Sequence, residues 1–218
     1  MIVAIDGPAG AGKSTVARAV AERLGFTYVD TGALYRAVTL AAIEAGVAPD
    51  DGPRVAELAR DLGIKLQGSS TFISSRDVTQ AIRASEVTSA VSIVAAQPEV
   101  RAVLASIQRD LLGAGSVVME GRDIGSTIAP DAQVKVFLTA SLDERARRRL
   151  LQLGMSDDPD AVASAARSIE RRDSEDEGRE SSPFVRPPDA VVIDSTGKPS
   201  DAIVDEIVAI ASERRSTR

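Results

Sequence analysis

One eight-residue segment has a spacing that is specific for phosphate binding. Residues 7–14 read Gly-Pro-Ala-Gly-Ala-Gly-Lys-Ser and match the pattern G-x-x-x-x-G-K-[ST]. Glycines let successive backbone N–H groups curl around phosphate oxygens, and a helix that begins near Gly12 turns its positive end toward them. Lys13 then reaches the β- and γ-phosphates of a nucleotide, and the Ser14 hydroxyl binds Mg²⁺. The predicted nucleotide-binding residues are Gly7, Pro8, Ala9, Gly10, Ala11, Gly12, Lys13, Ser14 and Thr15.

The composition excludes several other kinds of chemistry. The 218 residues include no histidine and no cysteine. Such a chain has no histidine general base, no Ser-His-Asp triad, no thiol nucleophile and no Cys/His zinc site. It also lacks asparagine, and therefore the N-K-x-D segment with which a regulatory GTPase would recognise guanine. A net charge of −6 argues against nucleic acid and anionic membranes as partners.

Strands and helices alternate around the phosphate-binding segment. An apolar run at residues 2–5 predicts a strand directly before it, and helical spacing predicts a helix at 14–24 after it. Further strands are expected at 26–29, 116–119, 134–138 and 190–193, and further helices at 32–45, 55–62, 99–112, 142–153, 161–177 and 200–210. This alternation is typical of an α/β protein whose parallel sheet is covered by helices on both faces.

Residues 64–92 differ from the rest of the chain in the pattern of their polar and apolar residues. Residues 65–67 and 71–73 alternate in polarity around Gly-Ser-Ser, which predicts a small hairpin inserted between α/β units. There is no apolar run of about 18 residues and no basic leader. We therefore expect a cytoplasmic protein.

Several charged residues lie where they could bind phosphates. Arg36 and Arg122 are predicted to lie near the sheet edge at which ligands of open α/β folds bind, and a guanidinium can bind a phosphate through two hydrogen bonds. The alternative is that each arginine forms a surface salt bridge. Glu120 ends a strand that faces the glycine segment, where a carboxylate could hold Mg²⁺ through water. Arg145 and Arg149, one helical turn apart, could both face ATP, although four arginines within residues 145–149 would equally suit a solvated helix face.

Four motifs in this order resemble bacterial-type cytidylate kinases. They are residues 7–14, Asp-Thr-Gly-Ala-Leu-Tyr-Arg at 30–36, Glu-Gly-Arg-Asp-Ile-Gly at 120–125, and Arg-Asp-x-x-Asp-x-x-Arg at 172–179. The resemblance extends from about residue 2 to the last helix. It implies transfer of the γ-phosphate of ATP, with Mg²⁺, to CMP or dCMP. It also implies a P-loop kinase core at about 1–55, 96–150 and 188–218, with a nucleoside-monophosphate-binding insert at 56–95 and a mobile lid at 151–187, all in a single domain.

The resemblance also assigns roles to individual residues. Arg36 and Arg122 match the family's arginines for the acceptor's α-phosphate, and Arg172 and Asp176 match its sugar-binding residues. Because Arg172 and Asp176 share a helix face at i and i+4, we expect Arg172 to hold the Asp176 carboxylate toward the sugar, with Ser92 assisting. Where relatives usually have a metal-binding aspartate, this chain has Glu120, and the predicted metal-binding residues are Ser14 and Glu120. The remaining acceptor-binding residues are expected to be Thr31, Tyr35, Ser92, Arg101, Asp123 and Arg179, and the catalytic set is Lys13, Arg122, Arg145, Arg149 and Arg172.

Taken alone, some of these residues have ordinary structural explanations. Thr31 and Ser92 could be helix-cap or turn hydroxyls, and Arg172 and Asp176 could be an exposed helix pair. Two other functions also stay open, namely another small P-loop kinase acting on uridylate, adenylate or shikimate, and an ATP-binding module without transfer activity. We expect a monomer.

Overall fold

The computed structural model describes residues 1–113, 115–179 and 184–216. The strands are β1 Ile2–Asp6, β2 Thr27–Asp30, β3 Ile64–Gln67, β4 Ser70–Ile73, β5 Arg76–Asp77, β6 Val117–Gly121, β7 Val134–Thr139 and β8 Val191–Asp194. The helices are α1 Lys13–Leu24, α2 Thr31–Glu44, α3 Gly52–Asp61, α4 Ser85–Ala96, α5 Pro98–Leu112, α6 Leu142–Gln152, α7 Pro159–Glu177 and α8 Ser200–Ser216.

The chain forms two compact units, Met1–Thr27 with Ser116–Arg218, and Tyr28–Gly115. In the first unit β1 lies between β6 and β7, β8 pairs with the other side of β7, and all these strands are parallel. Val3, Ala4 and Ile5 of β1 are fully buried, as expected for a strand covered on both faces. The predicted α/β fold with a parallel sheet flanked by helices is confirmed.

Two helices of the first unit pack against each other through a small apolar cluster. Ala146 and Leu150 of α6 meet a row of apolar residues on α7 whose spacing is helical. That row is Val162, Ala166 and Ile169. The N-termini are capped by side chains, because Ser141 Oγ accepts from Glu144 N at 3.3 Å and Asp158 Oδ1 accepts from Ala161 N at 3.0 Å. Apolar packing and capped N-termini therefore stabilise this helix pair.

The second unit combines four helices with an antiparallel sheet. The hairpin expected near residues 65–73 is present, with Lys65 opposite Phe72 and Leu66 opposite Thr71. Two further elements of this region, β5 and α4, were not expected from the sequence. The α4 segment is rich in serine and β-branched residues, which favour a helix weakly, and its buried residues are Val87, Val91, Val94 and Ala95. Burial of this apolar face, rather than intrinsic propensity, accounts for the helix.

Across residues 1–113, 115–179 and 184–216, no single helix is both long and apolar enough to cross a membrane. The pair α4 and α5 meets the length and composition criteria only when taken together, and it is bent by 95°.

Candidate active site

The predicted phosphate-binding segment connects β1 to α1 in the first unit, and its shape requires glycine. A side chain at Gly7 would overlap the backbone carbonyl of Leu138. At Gly10, where φ is +78°, a Cβ atom would lie 2.9 Å from the Arg145 carbonyl oxygen. The loop therefore runs in direct contact with the backbones of β7 and α6, which only residues without a Cβ permit.

Lys13, at the start of α1, is buried and turned back onto the loop. Its Nζ donates to the carbonyl oxygens of Gly7 and Pro8, both at 2.8 Å. The pKa of Lys13 is lowered from 10.5 to about 7, chiefly by burial and also by the nearby Arg122 cation, whereas Glu120 and Asp6 oppose the shift. The ammonium group thus lies at the centre of a cluster of charges.

Ser14 and Glu120 are brought together by the β1–β6 pairing. Glu120 lies opposite Ile5 in the register and is 3% exposed. The Ser14 hydroxyl donates to Glu120 Oε2 at 3.1 Å, although 106 residues separate the two along the chain. The two predicted metal-binding side chains are therefore neighbours.

Arg122 connects the phosphate-binding loop to α7. Its Nη1 donates to Gly7 O at 2.9 Å, and its Nε donates to Asp176 Oδ2 at 2.9 Å. The other carboxylate oxygen of Asp176 accepts from Arg179 Nη2. Asp176 is 2% exposed, so its charge is compensated by two arginines in a water-poor environment.

The expected pairing of Arg172 with Asp176 is wrong. In the described part of α7 the Asp176 carboxylate is held by Arg122 and Arg179, and Arg172 makes no hydrogen bond to it. Arg172 Nε is buried without a hydrogen-bond partner among the described residues. Burial lowers the pKa of Arg172, the neighbouring Arg122 cation lowers it further, and Asp176 acts in the opposite direction.

The arginines of α6 separate into different environments. Arg145 Nη1 donates to Ala9 O at 3.1 Å and to Asp173 Oδ2, whereas Arg147 is exposed. Arg149 is half-buried, and its side chain has no hydrogen bond or ion pair within residues 1–113, 115–179 and 184–216. A uniformly solvated helix face is therefore not what the structure shows.

Arg148 is a loop-contacting residue that the sequence analysis did not single out. Its Nη1 donates to Ala11 O at 3.2 Å and to Ser195 Oγ at 2.9 Å, and its Nε donates to Glu144 Oε1 at 2.9 Å. Ser195 Oγ lies 3.2 Å from Ala11 O. No spacing rule identifies Ser195 in advance, because it approaches the loop only through the β7–β8 pairing.

Two buried carboxylates were also missed. Asp6 accepts from the backbone N–H groups of Ile124 and Gly125 at 2.9 and 2.8 Å, and burial raises its pKa to about 6 against the effect of these hydrogen bonds. Asp173 Oδ1 accepts from Ala9 N at 3.0 Å. Their positions gave some signal, because Asp6 ends the first strand and Asp173 lies inside the motif at residues 172–179.

The residues expected to bind the acceptor are divided between the two units. Thr31, Tyr35, Arg36, Ser92 and Arg101 belong to the second unit, whereas Arg122, Asp123, Arg172, Asp176 and Arg179 belong to the first. In the second unit Arg36 Nη1 donates to Thr88 Oγ1 at 3.0 Å and to Ile82 O at 3.3 Å. The Arg101 guanidinium lies 5.7 Å from the centre of the Tyr35 ring, a cation–π contact.

Remaining acceptor candidates are placed on defined elements. Thr31 is the first residue of α2 and is 4% exposed, directly after the cap Asp30, whose Oδ1 accepts from Ala33 N at 3.1 Å. Ser92 is half-buried on α4. Asp123 is 6% exposed and follows Arg122 in the turn after β6.

The family model for cytidylate kinase matches residues 3–213. The cytidylate kinase of Desulfitobacterium hafniense strain Y51 is 46% identical over 218 residues, which cover 99% of this chain and 94% of that protein. The cytidylate kinase of Caldanaerobacter subterraneus subsp. tengcongensis is 45% identical over 205 residues, which cover 94% of this chain and 92% of that protein.

Solved structures add information about the fold alone. A gluconokinase from Sinorhizobium meliloti 1021 superposes with a TM-score of 0.53 at 18% identity, covering 99% of this chain and 94% of that chain. The sequence matches are far closer, extend over nearly the whole chain and agree with the four motifs. The chain belongs to the cytidylate kinase family.

Proposed function

We propose that this protein transfers the γ-phosphate of ATP to CMP or dCMP, giving ADP and CDP or dCDP. The observation that carries the proposal is the meeting of two cations at one loop carbonyl. Lys13 Nζ and Arg122 Nη1 both donate to Gly7 O, at 2.8 and 2.9 Å. Lys13 is the predicted partner of the donor phosphates and Arg122 that of the acceptor phosphate. Adjacent cations of this kind suit a direct transfer between two phosphates.

The chemistry needs positioning and positive charge rather than a covalent intermediate. An oxygen of the acceptor phosphate attacks the γ-phosphorus in line, the bond to the β-phosphate oxygen breaks, and ADP leaves. The loop N–H groups and the N-terminus of α1 bind the donor phosphates, and Lys13, Arg145 and Arg149 neutralise the charge that spreads over the transferring group. A chain without histidine and cysteine can carry out this reaction.

The oxygen atoms at Ser14 and Glu120 fit a magnesium ion that binds together with ATP. They are hard donors 3.1 Å apart, and Mg²⁺ takes few protein ligands because it keeps several waters and phosphate oxygens. The described residues contain no group of three or more His, Cys, Asp or Glu side chains that could hold a metal by themselves. The bound ion would neutralise charge on the β- and γ-phosphates. Ser14 would bind it directly and Glu120 through water.

We assign acceptor binding as the family resemblance implies. Arg36 and Arg122 would bind the acceptor phosphate. The nucleoside would contact Thr31, Tyr35, Ser92, Arg101, Asp123, Arg172, Asp176 and Arg179. A carboxylate can accept from the N4 amino group of cytosine, and arginines can donate to N3 and O2.

The assignment of a monophosphate-binding insert at 56–95 and a mobile lid at 151–187 stays part of this proposal. Residues 180–183 of the lid range and residues 114 and 217–218 of the core range lie outside the described residues. A monomeric state, a cytoplasmic location and the absence of nucleic-acid and membrane partners likewise stay predictions.

An ADP-release assay with a panel of acceptors tests the function. CMP, dCMP, UMP, AMP and shikimate are offered separately with ATP and Mg²⁺, and Lys13→Ala serves as the inactive control. We expect turnover with CMP and dCMP that is lost on chelation of the metal. Preferential turnover of UMP, AMP or shikimate would identify another small kinase, and ATP binding without release of ADP for any acceptor would identify a non-catalytic module.

A further inference from the structure

Asp173 of α7 binds the phosphate-binding loop, and none of the roles assigned above explains this contact. Its Oδ1 accepts from the backbone N–H of Ala9 at 3.0 Å, and its Oδ2 accepts from Arg145 Nη1. The same Nη1 donates to the carbonyl oxygen of Ala9 at 3.1 Å. Both polar groups of one loop residue are thus bound by an ion pair whose members come from α6 and α7.

This three-residue ring lies in a largely dry environment. The side chains of Arg145 and Asp173 are 12% and 11% exposed. The Ala9 side chain packs against the apolar cluster formed by α6 and α7. On the next residue, Gly10, a Cβ would be 2.9 Å from Arg145 O, so the α6 backbone limits the loop on this side. Polar contacts and packing together specify one orientation of the Ala9 peptide.

We propose that Asp173 is a positioning residue for phosphoryl transfer. By holding the Ala9 N–H and Arg145 together, it preforms the loop for the triphosphate and directs the Arg145 cation toward the loop. Preformed donors give more stabilisation to developing charge because they need no reorganisation when the reaction occurs. The alternative is a blocking role, in which the Asp173 carboxylate occupies the Ala9 N–H group and competes with a phosphate oxygen for it.

The charge balance favours positioning over blocking. A carboxylate beside a triphosphate would repel it if unpaired, but here Arg145 neutralises Asp173 and the pair as a whole adds no net negative charge. Lys13 and Arg122 also donate to the loop at Gly7, so the loop stays surrounded by cations. The inference rests on the proposed kinase function, because its kinetic test needs ATP turnover.

Asp173→Asn and Asp173→Ala test the proposal, Glu177→Gln is the control, and Arg145→Ala, alone and combined with Asp173→Ala, tests whether the two residues act together. Asparagine is nearly isosteric with aspartate, but one of its two terminal atoms is an amide nitrogen, which donates rather than accepts. It therefore cannot reproduce both of the hydrogen bonds that Asp173 accepts from Ala9 N and Arg145 Nη1. Glu177 lies one turn later on α7, lines the same cavity as Asp173 and is exposed. Its side chain makes no hydrogen bond or ion pair with the described residues, so its replacement removes a charge without removing a contact to the loop.

We expect both Asp173 variants to raise KM for ATP and the Kd of a fluorescent ATP analogue by about tenfold, as for loss of one charge-assisted hydrogen bond. KM for CMP should stay within about twofold, and Glu177→Gln should behave like the unmodified protein. In an Arg145→Ala background, Asp173→Ala should add little, because the two residues act as a unit. Thermal unfolding verifies that each variant is folded. If Asp173→Ala does not fold, the test rests on Asp173→Asn alone.

Tighter ATP binding in Asp173→Asn would show that the carboxylate blocks the loop and would overturn the proposal. Equal increases in KM for ATP and for CMP would also overturn it. So would a double variant in which the effects of Asp173→Ala and Arg145→Ala on KM for ATP are additive. These outcomes are distinct from failure of the proposed function, in which the unmodified protein itself would release no ADP with any acceptor.

Discussion

The Arg122 guanidinium donates from Nε to the Asp176 carboxylate over 2.9 Å, with the two side chains 19% and 3% exposed. Because Arg122 also reaches Gly7 O, the carboxylate on α7 orients a cation that contacts the phosphate-binding loop. Arg179 binds the other oxygen of Asp176, so the carboxylate has a buried cation on each side. Removal of Asp176 would leave both guanidinium groups without this partner.

Replacement of Asp176 by alanine should affect both substrate binding and stability. We expect a higher KM for CMP and dCMP with an altered ratio between them, because the carboxylate is proposed to contact the sugar. Breaking a buried ion pair on one side costs about 3–5 kcal/mol, so the free energy of unfolding in urea should fall by this order. Glu175→Ala is the control, because Glu175 is exposed and its Arg171 contact is long, at 3.9 Å. Unaltered selectivity between the two nucleotides would remove Asp176 from sugar recognition.

Arg36→Ala should weaken binding of the acceptor specifically. We expect KM for CMP to rise by about tenfold and kcat to fall, with KM for ATP nearly constant, because a charge-assisted contact to the acceptor phosphate is lost. Steady-state kinetics with each substrate varied in turn measure this. Arg83→Ala provides a matched exposed arginine in the same unit. A change confined to ATP would place Arg36 on the other nucleotide.

Lys13→Ala should abolish turnover in a folded protein. The charge that develops on the γ-phosphate would lose a cation that is proposed to neutralise it, and such losses reduce kcat by about 10²–10³-fold. Circular dichroism would report the fold, and Lys65→Ala, an exposed lysine on β3, is the control. Retention of normal kcat by Lys13→Ala is incompatible with the proposed reaction.

The depressed pKa of Lys13 predicts a specific pH dependence of stability. Burial lowers its pKa from 10.5 to about 7, so between these values the unfolded chain binds more protons than the folded protein. The contribution of Lys13 to the free energy of unfolding must therefore rise as pH increases from 7 toward 10.5. Urea unfolding of the unmodified protein and of Lys13→Met at pH 7 and pH 9 measures this contribution as the difference between the two proteins. Parallel pH profiles of the two proteins would contradict the shift.

Arg149→Ala and Arg147→Ala form a matched pair on α6. Arg149 is half-buried, whereas Arg147 is exposed. We expect Arg149→Ala to lower kcat by about 10²-fold, since it removes a cation proposed to act on the transferring phosphate. Arg147→Ala should leave kcat and both KM values unchanged. Equal kinetics for the two variants would return Arg149 to an ordinary surface role.

The order of strands and helices and the phosphate-binding loop could be predicted from the sequence. Their signals are local, because a buried parallel strand needs a continuous apolar run, and the loop needs glycines where β7 and α6 approach. Helix α4 could not be predicted, because its propensity is weak and its stability comes from burial of valines whose partners are distant in sequence. The short strand β5 likewise depends on pairing with β4.

The partners of the charged residues were decided by tertiary structure. Spacing along α7 suggested Arg172 for Asp176, but a surface pair at i and i+4 is worth only about 0.2–0.5 kcal/mol. Arg122, 54 residues away, is the partner instead, because it follows β6 and its Nε lies 2.9 Å from Asp176 Oδ2. The contact between Asp173 and Ala9 spans 164 residues and has no sequence signal of its own. Residue types therefore revealed which chemistry is available, whereas the packing of α6 and α7 on the loop determined which arginine meets which carboxylate.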